Sequence, residues 1–126
     1  MSLISRRAAL QLGIAAFTVP AQAAWPNGQI NLVIPLPPGT VLDLIARFAA
    51  TRFQKKLGQP MVVENVAGAA GNLGVVKVVR AKPDGQTVLF SVSGPVSTNK
   101  FVMKNMPYDV AKDLAPVIMV GASPVA

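Results

Sequence analysis

The sequence contains neither cysteine nor histidine. Without cysteine the chain forms no disulfide, offers no thiolate to a metal ion and lacks the residue that a lipoprotein anchor needs. Without histidine it also lacks the commonest metal ligand and the commonest general base of enzymes. We therefore expect a protein that is not an enzyme and that binds no metal or cofactor.

Charged residues are sparse, and acidic ones especially so, with five Asp and Glu against twelve Lys and Arg. The basic residues are scattered over helical segments, far from the single tryptophan, Trp25, and the single tyrosine, Tyr108. Surfaces that bind nucleic acid interleave basic and aromatic residues. We interpret the basic residues as solvated helix faces and expect no nucleic-acid partner.

The first 23 residues have the three parts of a secretory signal peptide. Arg6 and Arg7 supply a charged start, residues 8–19 are mostly apolar, and the stretch AQA ending at Ala23 is a small-x-small cleavage site. The apolar run is shorter than the roughly 20 residues that a membrane-spanning helix needs. We predict a signal peptide over residues 1–23, cleavage near Ala23 and a periplasmic protein, with the Sec and Tat routes both open.

Strands and helices alternate along the remaining chain. Short apolar runs predict strands at residues 29–35, 60–64 and 87–91, helical patterns predict helices at 41–57 and 71–81, and weaker signals suggest a helix at 95–103 and a strand at 115–121. This alternation predicts an α/β fold with a doubly wound, largely parallel sheet. A hydrophobic content of 52% is sufficient for a core.

The first predicted helix is amphipathic and is followed by a glycine, Gly58. Its apolar stripe consists of Val41, Leu44, Ile45, Phe48, Ala49 and Phe53, with Arg47, Gln54 and Lys55 on the opposite side. An apolar stripe of this kind normally packs on the core.

Three strand-to-helix corners are rich in glycine and small polar residues. We define the first corner as residues 37–40, the second corner as residues 65–74 and the third corner as residues 91–99. In a parallel sheet all three lie at the carboxyl edge, where such folds bind ligands. Glycines let a ligand approach the backbone, and helix N-termini direct N–H groups at anions. Ordinary turn chemistry is the alternative, in which Thr40 only caps its helix and Asp43 only complements the helix dipole.

Nucleotide binding has little support at these corners. Gly68, Gly71 and Gly74 follow a predicted strand, but their spacing departs from the dinucleotide fingerprint, and the sequence has no P-loop. We expect no nucleotide cofactor.

Five stretches of the chain carry a family resemblance: WPNGQINLVIPLPPG followed by DLIARF, LGQPMVVEN, GAAGNLG, AKPDGQTVLFSVSG and MPYDVAKDLAPV. In this order they resemble the first lobe of a tripartite tricarboxylate transporter substrate-binding protein, also called the Bug family. The resemblance implies a two-lobed, periplasmic-binding-protein-like fold, of which residues 24–126 would form part of domain 1. It also implies capture of small organic carboxylates for transporter membrane subunits, by a protein that is a monomer when complete.

In the family, loops after the first strands hold the ligand's carboxylate, largely through main-chain N–H groups and bridging waters. Carried over, the resemblance implies ligand contacts at Pro38, Gly39, Thr40, Gly71, Asn72, Ser93 and Gly94. Asp43, in the first turn of the helix that follows, is an additional candidate. Ala70 departs from the family pattern, which commonly has glycine there, and Val41 and Leu42 are bulkier than the family's usual small residues.

Other functions stay open at this point. The same fold would serve a sensory module that presents a ligand to a signalling receptor, and a truncated chain could be a nonfunctional remnant. An α/β enzyme is a further alternative, weakened by the lack of histidine and cysteine. Because family members have a second lobe, we expect the chain as given to bind no carboxylate tightly.

Overall fold

The computed structural model describes residues 25–122, so the predicted signal peptide at residues 1–23 lies outside it. The elements in chain order are β1 Ile30–Ile34, α1 Val41–Leu57, β2 Met61–Asn65, α2 Asn72–Val79, β3 Thr87–Leu89, α3 Asn99–Val102 and α4 Val110–Asp113. A 3₁₀ turn at Ala69–Gly71 precedes α2, and a π-helical turn at Gly94–Thr98 precedes α3. Over residues 25–122, no helix has the length and apolarity needed to cross a membrane.

The sheet has three parallel strands in the order β2-β1-β3. Ile30 of β1 lies opposite Met61 of β2, and Asn31 of β1 lies opposite Thr87 of β3. The connection from β1 to β2 runs toward one edge of the sheet. The connection from β2 to β3 runs back past β1 toward the opposite edge. Right-handed crossovers in these two directions put α1 and α2 on opposite faces of the sheet. The predicted α/β class with a parallel, doubly wound sheet is confirmed.

The core is centred on β1, the middle strand. Ile30, Val33 and Ile34 are each no more than 1% exposed. Leu32 and Ile34 share one face of the strand and pack with Ala46 of α1. Fully burying a side chain of this size contributes roughly 1.5–3 kcal/mol, so β1 is the main source of apolar stabilisation in the described part.

Helix α1 begins and ends where the sequence predicts. The Thr40 hydroxyl accepts a hydrogen bond from the Asp43 N–H at 3.3 Å, which satisfies one free donor of the first turn. Gly58 takes a left-handed conformation with φ of 68° and donates its N–H to the Gln54 carbonyl at 3.0 Å. A glycine adopts this conformation without the penalty that a Cβ would bring.

The face that α1 packs on the sheet differs from the predicted one. The buried residues of the helix are Asp43, Ala46 and Ala50. The large apolar residues of the predicted stripe face outward, with these exposed fractions: Val41 73%, Leu44 62%, Ile45 43%, Phe48 64% and Phe53 49%. The expectation that this stripe packs on the core is wrong in the described part. Small side chains at 46 and 50 let the helix approach the sheet closely, which the larger ones would prevent.

Other predicted elements differ from the observed ones in length, in type or in whether they form. The second predicted helix, 71–81, is observed as the shorter α2, and the helix predicted at 95–103 is divided between a π-helical turn and α3. The strand predicted at 115–121 is wrong, because these residues are exposed and pair with no strand of the described part. An apolar run forms a strand only where a neighbouring strand completes its hydrogen bonds.

Substitutions on the two faces of α1 test which face is packed. Ala46→Leu adds volume where no space is open, and we expect it to lower the free energy of unfolding by about 1–3 kcal/mol. Phe48→Gln, on the outward face, should change it by about 0.5 kcal/mol or less. Urea denaturation of both variants measures the difference. Equal losses in the two variants would contradict the observed orientation of α1.

Candidate functional site

The three corners follow parallel strands and therefore lie at the carboxyl edge of the sheet, where Gly71 packs against the third corner and against Pro35, which precedes the first corner. A Cβ at position 71 would lie 2.5 Å from the Pro95 side chain of the third corner and 3.4 Å from Pro35, at the end of β1. A Cβ at position 74 would lie 2.9 Å from Pro35. Only glycine allows this approach, so the glycines at 71 and 74 let the second corner pack against the third corner and against Pro35, just before the first.

The first corner presents its backbone to solvent. Pro38 and Gly39 are exposed, and Gly39 has a φ of 84°, which glycine adopts readily. The Thr40 side chain is already engaged, because it donates to the Pro37 carbonyl at 3.2 Å and accepts the Asp43 N–H. The first N–H groups of α1 have no partner within the helix. Because the Gly39 N–H is bonded to Asp43 and the Asp43 N–H to Thr40, this corner can offer an anion the N–H groups of Thr40, Val41 and Leu42 rather than side chains.

Asp43 is buried behind the first corner, with an exposed fraction of 3%. Its Oδ2 accepts the Gly39 N–H at 3.0 Å and the Arg47 Nε at 3.1 Å. Its Oδ1 accepts from Arg47 Nη2 at 3.0 Å and from Asn65 Nδ2 at 3.0 Å. A carboxylate has about four lone-pair directions, and all four are used within the chain.

Asn65, the last residue of β2, connects this carboxylate to the backbone. Its amide also donates to the Leu36 carbonyl at 3.1 Å, and its oxygen accepts from Arg47 Nη2 at 3.1 Å. The end of β2, the first corner and the first two turns of α1 are thereby joined. We call Asp43, Arg47 and Asn65 the corner clamp.

The corner clamp keeps Asp43 ionised. Hydrogen bonds from Arg47, then from the Gly39 N–H, hold the pKa of Asp43 at about 2 instead of 3.8, against the opposing effect of burial. The charge is paired with that of Arg47 in a two-point contact, which is a strong form of hydrogen bond.

The second corner contains backbone conformations that are unusual outside glycine. Ala69 and Ala70 have φ values of 48° and 54°, and Gly71 follows at 89°. The turn is closed by the Gly71 N–H, which donates to the Gly68 carbonyl at 2.9 Å. Two alanines in the left-handed region cost energy that neighbouring contacts must offset.

Asn72, directly after this turn, is a buried polar residue with an exposed fraction of 4%. Its oxygen lies 2.7 Å from the Asn99 amide and 2.8 Å from the Tyr108 hydroxyl, and its amide contacts the Met103 sulfur. The Tyr108 hydroxyl also lies 2.7 Å from the Pro95 carbonyl, so its single proton has two acceptors within reach. Burial raises the pKa of Tyr108, which keeps the hydroxyl protonated.

The third corner is attached to the second by Asn99. The Asn99 amide donates to the Ala70 carbonyl at 3.1 Å as well as to Asn72. Pro95 is the second residue of the π-helical turn and is buried against Gly71. Ser93 is exposed and Gly94 is half-buried, so both lie at the open side of the corner.

The predicted ligand contacts therefore fall into two groups. Pro38, Gly39, Ser93 and Gly94 lie at least partly exposed along one edge, whereas the side chains of Thr40, Asp43 and Asn72 are engaged inside the chain. Gly71 is buried between Pro35 and Pro95. The N–H groups of Gly39 and Gly71 are bonded inside the chain, so the first N–H groups of α1 are the main-chain donors that an anion could use at this edge. Ligand contact by any of these residues stays a prediction.

Two depressions of the surface lie beside residues that hold the corners. One of ≈ 310 Å³ is lined by residues that include Tyr108 and Val110, and one of ≈ 220 Å³ by residues that include Arg47 and Gln54. Within residues 25–122, no group of three acidic side chains is placed to hold a metal ion. We regard the edge formed by the three corners as the candidate site, because it combines glycine turns with the end of a parallel sheet.

Sequence reasoning missed the residues that hold the corners. Arg47 was interpreted as part of a solvated helix face, although its spacing of four residues from Asp43 is typical of a helical ion pair. The residues next to Asn65 and Tyr108 in the sequence give no indication of the hydrogen bonds that these two side chains make. Their partners lie 22 and 36 residues away in sequence, so only the folded chain identifies them.

Comparison with known proteins finds relatives that belong to one family of transporter receptors. A sequence model of the tripartite tricarboxylate transporter family receptor, TctC, matches residues 45–126. Protein BugT of Bordetella pertussis is 39% identical over 115 residues, which cover 90% of this chain and 35% of BugT. A UPF0065 protein of Bordetella bronchiseptica is 37% identical over 113 residues, which cover 88% of this chain and 34% of that protein. The chain thus spans about a third of the length of these curated relatives.

Two solved structures from Rhodopseudomonas palustris share the fold. Rpa4515, solved with adipate, superposes with a TM-score of 0.71 at 37% identity, covering 75% of this chain and 31% of Rpa4515. MatC, solved with bound malate, superposes with a TM-score of 0.67 at 31% identity, covering 71% of this chain and 30% of MatC.

Adjacent residues of the second corner should respond in opposite ways to exchange of alanine and glycine. Gly71→Ala places a Cβ against Pro95 at a positive φ, and we expect a loss of about 2–4 kcal/mol in the free energy of unfolding. Ala70→Gly relieves a left-handed alanine and should be neutral or stabilising by up to about 1 kcal/mol. Denaturant titrations provide the comparison. A harmless Gly71→Ala would mean that the corners are packed less closely than observed.

Acid should weaken the corner clamp over a defined pH range. Because the pKa of Asp43 is lowered from 3.8 to about 2 in the folded chain, its stabilising effect is complete above pH 4 and is lost as the pH falls toward 2. Asp43→Asn should show a flatter fall in stability between pH 4 and 2 than the parent. Urea midpoints at several pH values measure this, and parallel curves for the two proteins would refute it.

Proposed function

Because the chain belongs to the tripartite tricarboxylate transporter receptor family, we propose that it forms the carboxylate-capturing edge of an extracytoplasmic solute-binding protein. The observation that carries this proposal is the meeting of three glycine-containing corners at the carboxyl edge of one parallel sheet. Open α/β sheets bind ligands at this edge. Helix N-termini and main-chain N–H groups stabilise a carboxylate there without a charged side chain.

We assign the ligand contacts to the backbone of the corners. Pro38, Gly39 and Thr40 would border the ligand at the first corner, with Asp43 behind them. Gly71 and Asn72 would do so at the second corner, and Ser93 and Gly94 at the third. The exposed Ser93 side chain is available for a direct contact, whereas Asn72 would act mainly by holding its corner in place.

Small organic dicarboxylates are the favoured ligand class. Support comes from the adipate and malate found with two structures of the same fold. Delivery to transporter membrane subunits, a periplasmic location and a signal peptide at residues 1–23 are parts of the same proposal. Residues 24–126 would then form part of the first lobe of a two-lobed clamp, and a hinge between lobes would close over the ligand.

Nuclear magnetic resonance of the purified ¹⁵N-labelled protein tests the site. Titration with adipate or malate should shift the amide resonances of the three corners, with a dissociation constant in the millimolar range, because residues 24–126 would supply only one side of a clamp. Adipamide has the same length without charge and should leave these resonances in place. Shifts confined to the outward face of α1, or no shifts with either acid, would reject the proposed site.

Calorimetry provides an independent measurement. We expect no heat of binding that corresponds to micromolar affinity, about −8 kcal/mol, for any dicarboxylate. A ligand enclosed on one side alone gains few of the contacts that offset its lost freedom of motion. Micromolar affinity for the purified chain would show that the second lobe is unnecessary for capture.

A further inference from the structure

The corner clamp places a buried negative charge directly behind the proposed anion site. Asp43 accepts the N–H of Gly39, one of the residues proposed to border the ligand, at 3.0 Å. Like charges repel, and the repulsion is strong where water is excluded. A carboxylate at this position would therefore oppose carboxylate binding unless its charge is cancelled nearby.

Arg47 is placed to cancel that charge. Its guanidinium contacts both oxygens of Asp43, by Nε at 3.1 Å and by Nη2 at 3.0 Å. Asn65 and the Gly39 N–H, the other groups that bond the carboxylate, are neutral. The side chain of Arg47 is 51% exposed, so its charge remains partly solvated while that of Asp43 is enclosed.

We propose that Asp43, Arg47 and Asn65 are positioning residues, with Asp43 and Asn65 fixing the first corner and Arg47 neutralising Asp43 so that the corner accepts an anion. This inference rests on the proposed function. It assigns to Asp43 a role that differs from direct ligand contact. The four acceptor directions of Asp43 are occupied, and its bond to Gly39 fixes the backbone from which α1 starts.

The electrostatic part makes a specific prediction about Arg47. Arg47→Gln leaves Asp43 uncompensated, and we expect it to weaken adipate binding by about tenfold, an effect on the scale of one nearby charge at intermediate dielectric. Monomethyl adipate, with one charge fewer, should lose less affinity. Added salt should reduce the loss in both cases. A variant that merely loosens the fold would affect both ligands equally and would not respond to salt in this way.

Two further variants complete the experiment. Asp43→Asn combined with Arg47→Gln removes both charges and should bring adipate affinity back to within about threefold of the parent, because the local charge balance is restored. Arg52→Gln is the matched control, since it removes one positive charge from the same helix at a side chain that stacks on Phe48, 4.9 Å away. It should change adipate affinity by about twofold or less.

The positioning part is measured without any ligand. Asn65→Ala should accelerate hydrogen exchange at the Gly39 amide by about tenfold or more, because the Leu36 carbonyl and Asp43 both lose a partner. Exchange at the Val33 amide, in the central strand, reports global stability in the same spectrum. Unchanged exchange at Gly39, or equal acceleration at Gly39 and Val33, would overturn the positioning role of Asn65.

The outcomes separate this inference from the proposed function. If the parent shows no corner shifts with adipate, the proposed function fails, and Gly39 exchange still decides the positioning role. If the parent binds but Arg47→Gln binds equally well, or the double variant stays as weak as Arg47→Gln, charge compensation is overturned. Loss of all binding in Asp43→Asn with unchanged Gly39 exchange would establish direct ligand contact by Asp43 and overturn its positioning role.

Discussion

Strand β1 is paired on both edges and packed on both faces, and the position of every corner follows from it. Its partners β2 and β3 run parallel to it, so all three strands end at the same edge. Burial of Ile30 and Ile34 on one face and of Val33 on the other makes β1 the strand that both helical layers cover. The candidate site is therefore a consequence of how the middle strand is buried.

Two buried polar side chains then hold the loops that the sheet brings together. Asp43 bonds the first corner to α1 and β2, and Asn72 bonds the second corner to the third. Each comes shortly after a glycine with positive φ, Gly39 or Gly71. Buried polar groups with all partners present define one geometry, and a missing partner is costly. The corners are thus rigid from behind while their backbone faces outward.

The sequence alone predicts those features that depend on neighbouring residues in the chain. Thr40 and Gly58 mark the ends of α1, and the alternation of strands with helices indicates the parallel sheet. The sequence does not predict features that depend on residues far away in the chain. The outward orientation of Phe48 depends on the space between α1 and the sheet, and the role of Asn65 depends on a residue 22 positions away. Residues 115–121 have the composition of a strand, but no neighbouring strand pairs with them in the described part. Composition alone therefore predicts a strand that does not form.

The order β2-β1-β3 leaves each outer strand with one edge that no strand covers in the described part. Uncovered sheet edges and the outward apolar face of α1 both promote association between molecules. The highest concentration at which the purified chain stays monodisperse therefore sets the weakest affinity that a titration can resolve. When residues 25–122 are studied by themselves, colloidal behaviour limits what a titration can show as much as the chemistry of the corners does.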